Sequence, residues 1–168
     1  MDIHQQELQK AIEFVRQTFA EKKINLDYSP ESVKHLDKLF DQEFKNGKLK
    51  RPDSSFARYQ GLIMMGVSGY IAHVILKNAA NTQLVIEPAD DNWFLNYRVA
   101  TQTGLFVQPG QRVVKRMLRG EEMELFAYVL ISIKYFSVSP ALAKNYTNIS
   151  PDNYTVDPAQ NKPWWKFW

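Results

Sequence analysis

Between Tyr59 and Leu76 the chain runs for 18 residues without a charge. As helix this is about 27 Å long, close to the thickness of a bilayer's hydrocarbon core. Such a segment has to be covered, either by lipid or by the rest of the chain. Gly61, Gly66 and Gly69, together with Gln60, Ser68, Tyr70 and His73, dilute its hydrophobicity, and the segments before it offer apolar faces. The reading is therefore a buried central helix, starting at Asp53 or Ser54 and ending near Asn78. Ala57, Gly61, Met65, Gly69 and His73 lie four apart, with Gly66, Ser68 and Ala72 beside that row. A neighbouring backbone can approach closely along so small a stripe.

The covering elements follow from periodicity. Leu8, Ala11, Ile12, Val15 and Phe19 recur at three- and four-residue steps, which predicts a helix over about Ile3 to Lys23. Ser29 can accept from the free N–H groups of a second helix, and Pro30 suits its first position. Val33, Leu36, Phe40 and Phe44 form the stripe of that helix, and Asn46-Gly47 stops it. After Asn81 the pattern changes to strand. Thr82 to Ile86 is rich in β-formers, Pro88 to Asn92 reads as a turn, and Trp93, Leu95, Tyr97 and Val99 alternate with Phe94, Asn96 and Arg98. Thr103-Gly104 is a second turn, Leu105 to Gln108 a third strand, and Pro109-Gly110 opens a helix over Gln111 to Arg119. Gly120 breaks it, and Glu121, Glu122 and Glu124 suit the start of a last helix carrying Leu125, Phe126, Val129, Leu130 and Ile133. The expected fold is α+β. In residues 1–136 a single domain packs N-terminal helices and a glycine-rich central helix on a small three-stranded antiparallel sheet, followed by two short helices. Residues 137–168 form an irregular Pro/Asn-rich tail ending in an aromatic anchor.

Composition closes several kinds of chemistry. The 168 residues suit one domain, and the absence of cysteine removes disulfide, thiolate zinc, iron–sulfur and thiol nucleophile alike. The opening MDIHQQELQK has neither the basic run nor the apolar core of a signal peptide. The expected location is the cytoplasm, with a peripheral position on the inner membrane as the alternative. A net charge of +3 and a pI of about 9.0 overstate how basic the surface is. From Asp41 to Asp53, four cations meet three anions, so that stretch is mixed.

Few residues carry a chemical signature. Gly66-Val67-Ser68-Gly69-Tyr70 resembles a hydrolase elbow but lies inside a helix and has Tyr70 where glycine is required, so Ser68 reads as a packing residue. His4, His35 and His73 lack the paired spacing that places two imidazoles on one metal; the pattern calls for no metal and no cofactor. His73, on the central helix, reads as a hydrogen-bonded core histidine, and His35 as solvent-facing. Tyr70, His73 and Glu87 are the candidate polar groups of a pocket between helix and sheet, with Glu87, Asp90 and Asp91 otherwise an ordinary acidic turn.

Arg112, Lys115, Arg116 and Arg119 fall on one face of a short helix whose Val113, Val114, Met117 and Leu118 are expected to face the core. That face reads as solvated, or as a docking surface for an acidic protein. Nucleic acid is disfavoured, because Glu121, Glu122 and Glu124 follow at once and no nucleic-acid motif is present. Three of the four tryptophans stand in Pro163-Trp164-Trp165-Lys166-Phe167-Trp168. Trp164, Trp165, Phe167 and Trp168 are expected to anchor, on this chain, on a protein partner or at a membrane surface.

Gly69-Tyr70-Ile71-Ala72-His73-Val74-Ile75, Trp93, Val107, Val113-Val114-Lys115-Arg116 and Gly120-Glu121 together resemble an uncharacterised bacterial α+β domain family of unknown function. The resemblance covers about residues 26–135, and His73 stands where the family pattern has glutamate. It implies a glycine-rich central helix, a short antiparallel sheet and a bacterial source, and no activity. The functional expectation is a non-catalytic module that binds another protein, in an immunity or accessory role. The alternatives are a small enzyme with a pocket around His73, and a peripheral membrane protein using its Trp-rich tip.

Overall fold

The structure, a computed structural model, describes residues 3–45, 47–86 and 93–137. Helix α1 spans Ile3–Ala20 and buries Leu8, Ala11, Ile12, Val15 and Phe19, the stripe that its periodicity predicts. A single 3₁₀ turn, Pro30–Ser32, leads into α2, Val33–Glu43. Ser29 caps that turn, its hydroxyl accepting from the Ser32 N–H at 3.3 Å, and Pro30 occupies the position where no backbone donor is needed. At Phe44 the chain leaves the helix for a two-stranded antiparallel hairpin, β1 (Phe44–Lys45) and β2 (Lys48–Leu49). Gly47 turns it at φ +73°, a conformation only glycine adopts without strain. The expected helix stop is thus a hairpin.

The central helix is interrupted once. Ser54 caps a short α3, Ser55–Arg58, by accepting from the Ala57 N–H at 3.2 Å, and α4 then runs from Gln60 to Asn78. Helix α4 is apolar all round, and its middle is enclosed: Val67, Tyr70, Ile71, Ala72, Val74 and Ile75 are fully buried. A helix of this kind belongs in the interior of a domain, where each large aliphatic side chain contributes about 1.5–3 kcal/mol on burial. Helix α1 lies along it. A Cβ on Gly66 would sit 2.2 Å from the Ala11 carbonyl oxygen, so the small stripe is where the two backbones meet. Among the described residues no helix is long and apolar enough to cross a membrane.

The three-stranded sheet is antiparallel in the order β3 (Thr82–Val85), β4 (Arg98–Thr101), β5 (Phe106–Val107), with Leu84 opposite Val99 and Val99 opposite Val107. Trp93–Asn96, expected as part of a strand, is instead a helical turn, α5, closed by Tyr97 N–H on the Trp93 carbonyl at 2.8 Å. Trp93 and Tyr97 are buried four residues apart, a spacing that helix and alternating strand share. The turn packs against the start of α6 (Pro109–Arg119), where a Cβ on Gly110 would meet the Phe94 carbonyl at 2.5 Å. A second 3₁₀ turn, Gly120–Met123, precedes α7, Leu125–Ser137. Helices α1, α6 and α7 pack on α4, α2 packs on α7, and with the small sheets they make the α+β fold.

Candidate functional site

The residues of α6 correct the expectation most. Arg112 and Arg116 are buried, at 0% and 3% exposure, while Leu118, expected in the core, is 54% exposed and Val114 and Met117 are half-buried. Arg112 and Arg116 therefore do not form an exposed cationic face. Charge pairing has overridden apolarity. The Arg116 Nε donates to Asp37 Oδ1 at 2.9 Å, and its Nη2 donates to the Asp37 carbonyl at 3.2 Å and to Asp41 Oδ1. The same Asp37 carboxylate accepts the N–H of Leu125 and of Phe126, each at 2.9 Å. Asp37, on α2, thus caps α7 from a distance, using both oxygens where exposed donors and the positive end of a helix dipole await an anion. Burial raises the Asp37 carboxyl above its ordinary range against the pull of those donors and of Arg116. Burial alone would lower the Arg116 guanidinium, and Asp37 and Asp41 outweigh it, holding it above its usual value. Arg112 donates to the Glu124 carbonyl at 3.2 Å and to Met123 Sδ at 3.3 Å, with its guanidinium 5.3 Å above the Tyr128 ring. Both arginines act as internal ties between α6, α2 and α7.

Two of the groups expected around a pocket are tied into the fold, Tyr70 buried and His73 half-buried. Tyr70 is fully buried; its hydroxyl accepts the Tyr28 N–H at 2.8 Å and lies 2.6 Å from Ser32 Oγ. Ser32 spends its own proton on the Ser29 carbonyl at 2.6 Å, so Tyr70 is the donor of that pair. Tyr28 stacks on Tyr70 at 4.8 Å with φ +64°, a strained backbone held by these bonds and by Asn78 Nδ2 on its carbonyl at 3.2 Å. His73 Nδ1 donates to the Gly69 carbonyl one turn back, at 2.9 Å, and its ring lies 6.1 Å from that of Tyr28. Ser68 likewise bonds within its helix, to the Met65 carbonyl at 2.9 Å. Glu87, Asp90, Asp91, Trp164, Trp165, Phe167 and Trp168 lie outside the described residues.

An open groove does exist elsewhere. It encloses about 470 Å³ between the end of α2, the β1–β2 hairpin, the last turn of α6 and the 3₁₀ turn that follows. Phe40, Phe44 and Met117 form its apolar lining; Asp41, Lys45, Lys50, Arg119, Glu121 and Glu122 supply charges of both signs. The hairpin is set against α6 by Gly47, where a Cβ would lie 3.2 Å from the Leu118 carbonyl oxygen. Of the predicted α6 cations only Arg119 is exposed, and it lines this groove together with the inner edge of Arg116; Lys115 is half-buried. Sequence reasoning missed Asp37 and Lys45. Asp37 had a signal: it falls four residues after Val33 and three before Phe40, on the flank of the buried stripe of α2. Among the described residues no group of three or more metal-ligating side chains comes together.

Compared with known proteins, the chain matches no family model, no curated protein and no solved structure.

Proposed function

We propose that the chain is a non-catalytic protein-binding module and that the groove beside the β1–β2 hairpin is where its partner docks. One observation carries the reading: buried Phe40 and Phe44 and half-buried Met117 line the groove together with charges of both signs, the mixture of apolar and polar lining that protein interfaces combine. Support also comes from the buried polar groups. Asp37, Arg112, Arg116 and Tyr70 are each engaged in joining helices, so their chemistry is accounted for by the fold. The mixed rim fits a partner segment that carries an apolar anchor flanked by charges, and it does not fit a uniformly anionic polymer. An immunity or accessory role is the finer version of this reading.

A photo-crosslinking residue at Lys45 or Glu122, on the groove, should capture one discrete protein that the same group at Gln102, on the exposed turn between β4 and β5, does not. Reversing Lys45 and Arg119 to glutamate together should abolish the capture while leaving the fold intact. Equal capture from Lys45 and Gln102, or none from either groove position, would overturn the proposal.

A further inference from the structure

Residues 163–168, Pro-Trp-Trp-Lys-Phe-Trp, place three indoles and a phenyl ring close together, with Lys162 and Lys166 on either side of Trp164 and Trp165. Rings so concentrated need an apolar surface, because left in water they are a liability for aggregation. The hairpin groove has the room. Its volume of about 470 Å³ lies in the range that takes a drug-sized ligand, whereas the hollows beside Arg16 and beside Thr18, at about 100 and 30 Å³, do not. The groove also has unused charge. Lys45, Arg119, Glu121 and Glu122 line it, and none of these four side chains has an ionic or hydrogen-bonding partner among the described residues. Cations and anions that share a groove without meeting one another are free to engage an occupant that answers both.

We propose that Pro163–Trp168 docks in this groove of its own chain, as a strap that a partner must displace. Phe40, Phe44 and Met117 supply ring and thioether contacts for the indoles. Glu121 and Glu122 answer Lys162 and Lys166, while Lys45 and Arg119 are cations to seat over an indole face, the strongest of the aromatic partners. The connection is long enough. The Leu125 N–H rests on Asp37, one helical turn before Asp41 of the groove, and α7 carries the chain from there to Ser137. At 1.5 Å per residue the end of α7 is about 25 Å from the groove. Residues 138–162, which number 25, have a root-mean-square reach of about 25–30 Å as coil. A tether whose reach matches the span gives the greatest effective concentration. The strap adds regulation to the docking groove proposed above and rests on that groove, but it requires no second protein.

Carbodiimide, which joins a lysine to a carboxylate only where the two touch, tests the strap in the purified 168-residue chain. It should couple Lys162 or Lys166 to Glu121 or Glu122. Mass spectrometry of an equal mixture of isotope-labelled and unlabelled chains should find each linked pair in one isotope only. Trp164→Ala, Trp165→Ala and Trp168→Ala together should abolish the coupling although both lysines remain, and where a partner is captured at Lys45 this triple variant should capture several-fold more of it. Mixed-isotope pairs would make the occupant a second copy, and coupling that survives the loss of the indoles would be tethering without docking. Tryptophan emission that turns blue only when anionic vesicles are added would put the indoles at a membrane. Each of these would overturn the proposal, as would an absence of linked peptides or partner capture indifferent to the triple change. The purified chain holds no partner, so failure of the coupling leaves capture at Lys45 standing, and failure of that capture leaves the coupling to stand by itself.

Discussion

Two buried polar clusters join distant parts of this chain, and they use opposite chemistry. In the first, Asp37 and Arg116 meet across 79 residues of sequence, and Asp37 carries the start of α7 on its two oxygens. In the second, Tyr70 on α4 holds the Tyr28 N–H and Ser32 without any formal charge. Both fix where a helix begins relative to the core. They differ in what remains when one member is removed. A neutral cluster loses hydrogen bonds, whereas an ionic one is left with a buried charge that has lost its countercharge. The first should therefore be the more brittle, although its net worth over a well-packed apolar substitute can be small.

The largest effect is expected from breaking the ionic cluster on one side. Arg116→Ala leaves the Asp37 carboxylate buried with two backbone donors and should cost about 3–5 kcal/mol in urea unfolding. The double replacement Asp37→Leu with Arg116→Met should cost clearly less than the two single changes summed, because no charge is stranded. A simple sum would show that the two residues act separately.

Tyr70→Phe sharpens the contrast from the neutral side. It removes the acceptor of Tyr28 N–H and the donor to Ser32, and the expected loss is about 1–3 kcal/mol. A strained φ of +64° at Tyr28 then has less to hold it, so amide exchange of Tyr28 should accelerate more than that of Leu125. If both amides respond alike, the two clusters are not independent.

The smallest effect separates the clusters by pH. Burial raises the Asp37 carboxyl, and Glu124 is raised by burial and by the nearby Asp37 and Asp41 carboxylates. For an acid whose folded value lies above its unfolded one, the folded state keeps a proton that the unfolded state has lost. Its contribution to stability is complete below the ordinary carboxylate range and declines as pH rises through the raised value. Asp37→Asn should flatten that decline in a plot of melting temperature against pH. Tyr70, raised by burial from an ordinary value of 10.0, follows the same sign only in alkali, so Tyr70→Phe should leave the acid limb unchanged. An acid limb indifferent to Asp37→Asn would mean that Asp37 does not titrate there.

The elements legible in sequence were those whose burial is periodic. Leu8, Ala11, Ile12, Val15 and Phe19 form one stripe whatever packs on it, and the caps at Ser29 and Ser54 act on residues three positions away. The uncharged run around Gly66 and Gly69 required a close neighbour, and α1 supplies it. Where reading failed, the deciding partner was remote or the pattern was shared. Trp93 and Tyr97 satisfy both a strand and a helical turn, and packing against Gly110 selected the turn. The α6 face failed for a different reason: hydrophobicity ranks Val114, Met117 and Leu118 above arginine for the interior, and that ranking holds only while no anion waits inside.

By itself, then, the sequence determined that α1, α2 and α4 exist, which faces they bury and that the chain folds as α+β, because hydrophobic period and capping act within a few residues. Tertiary structure alone decided the rotation of α6, the capping of α7 by Asp37 and the groove beside the hairpin. Each depends on charges or backbone brought together from far along the chain, and Arg116 reads as a surface cation until Asp37 and Asp41 are seen beside it.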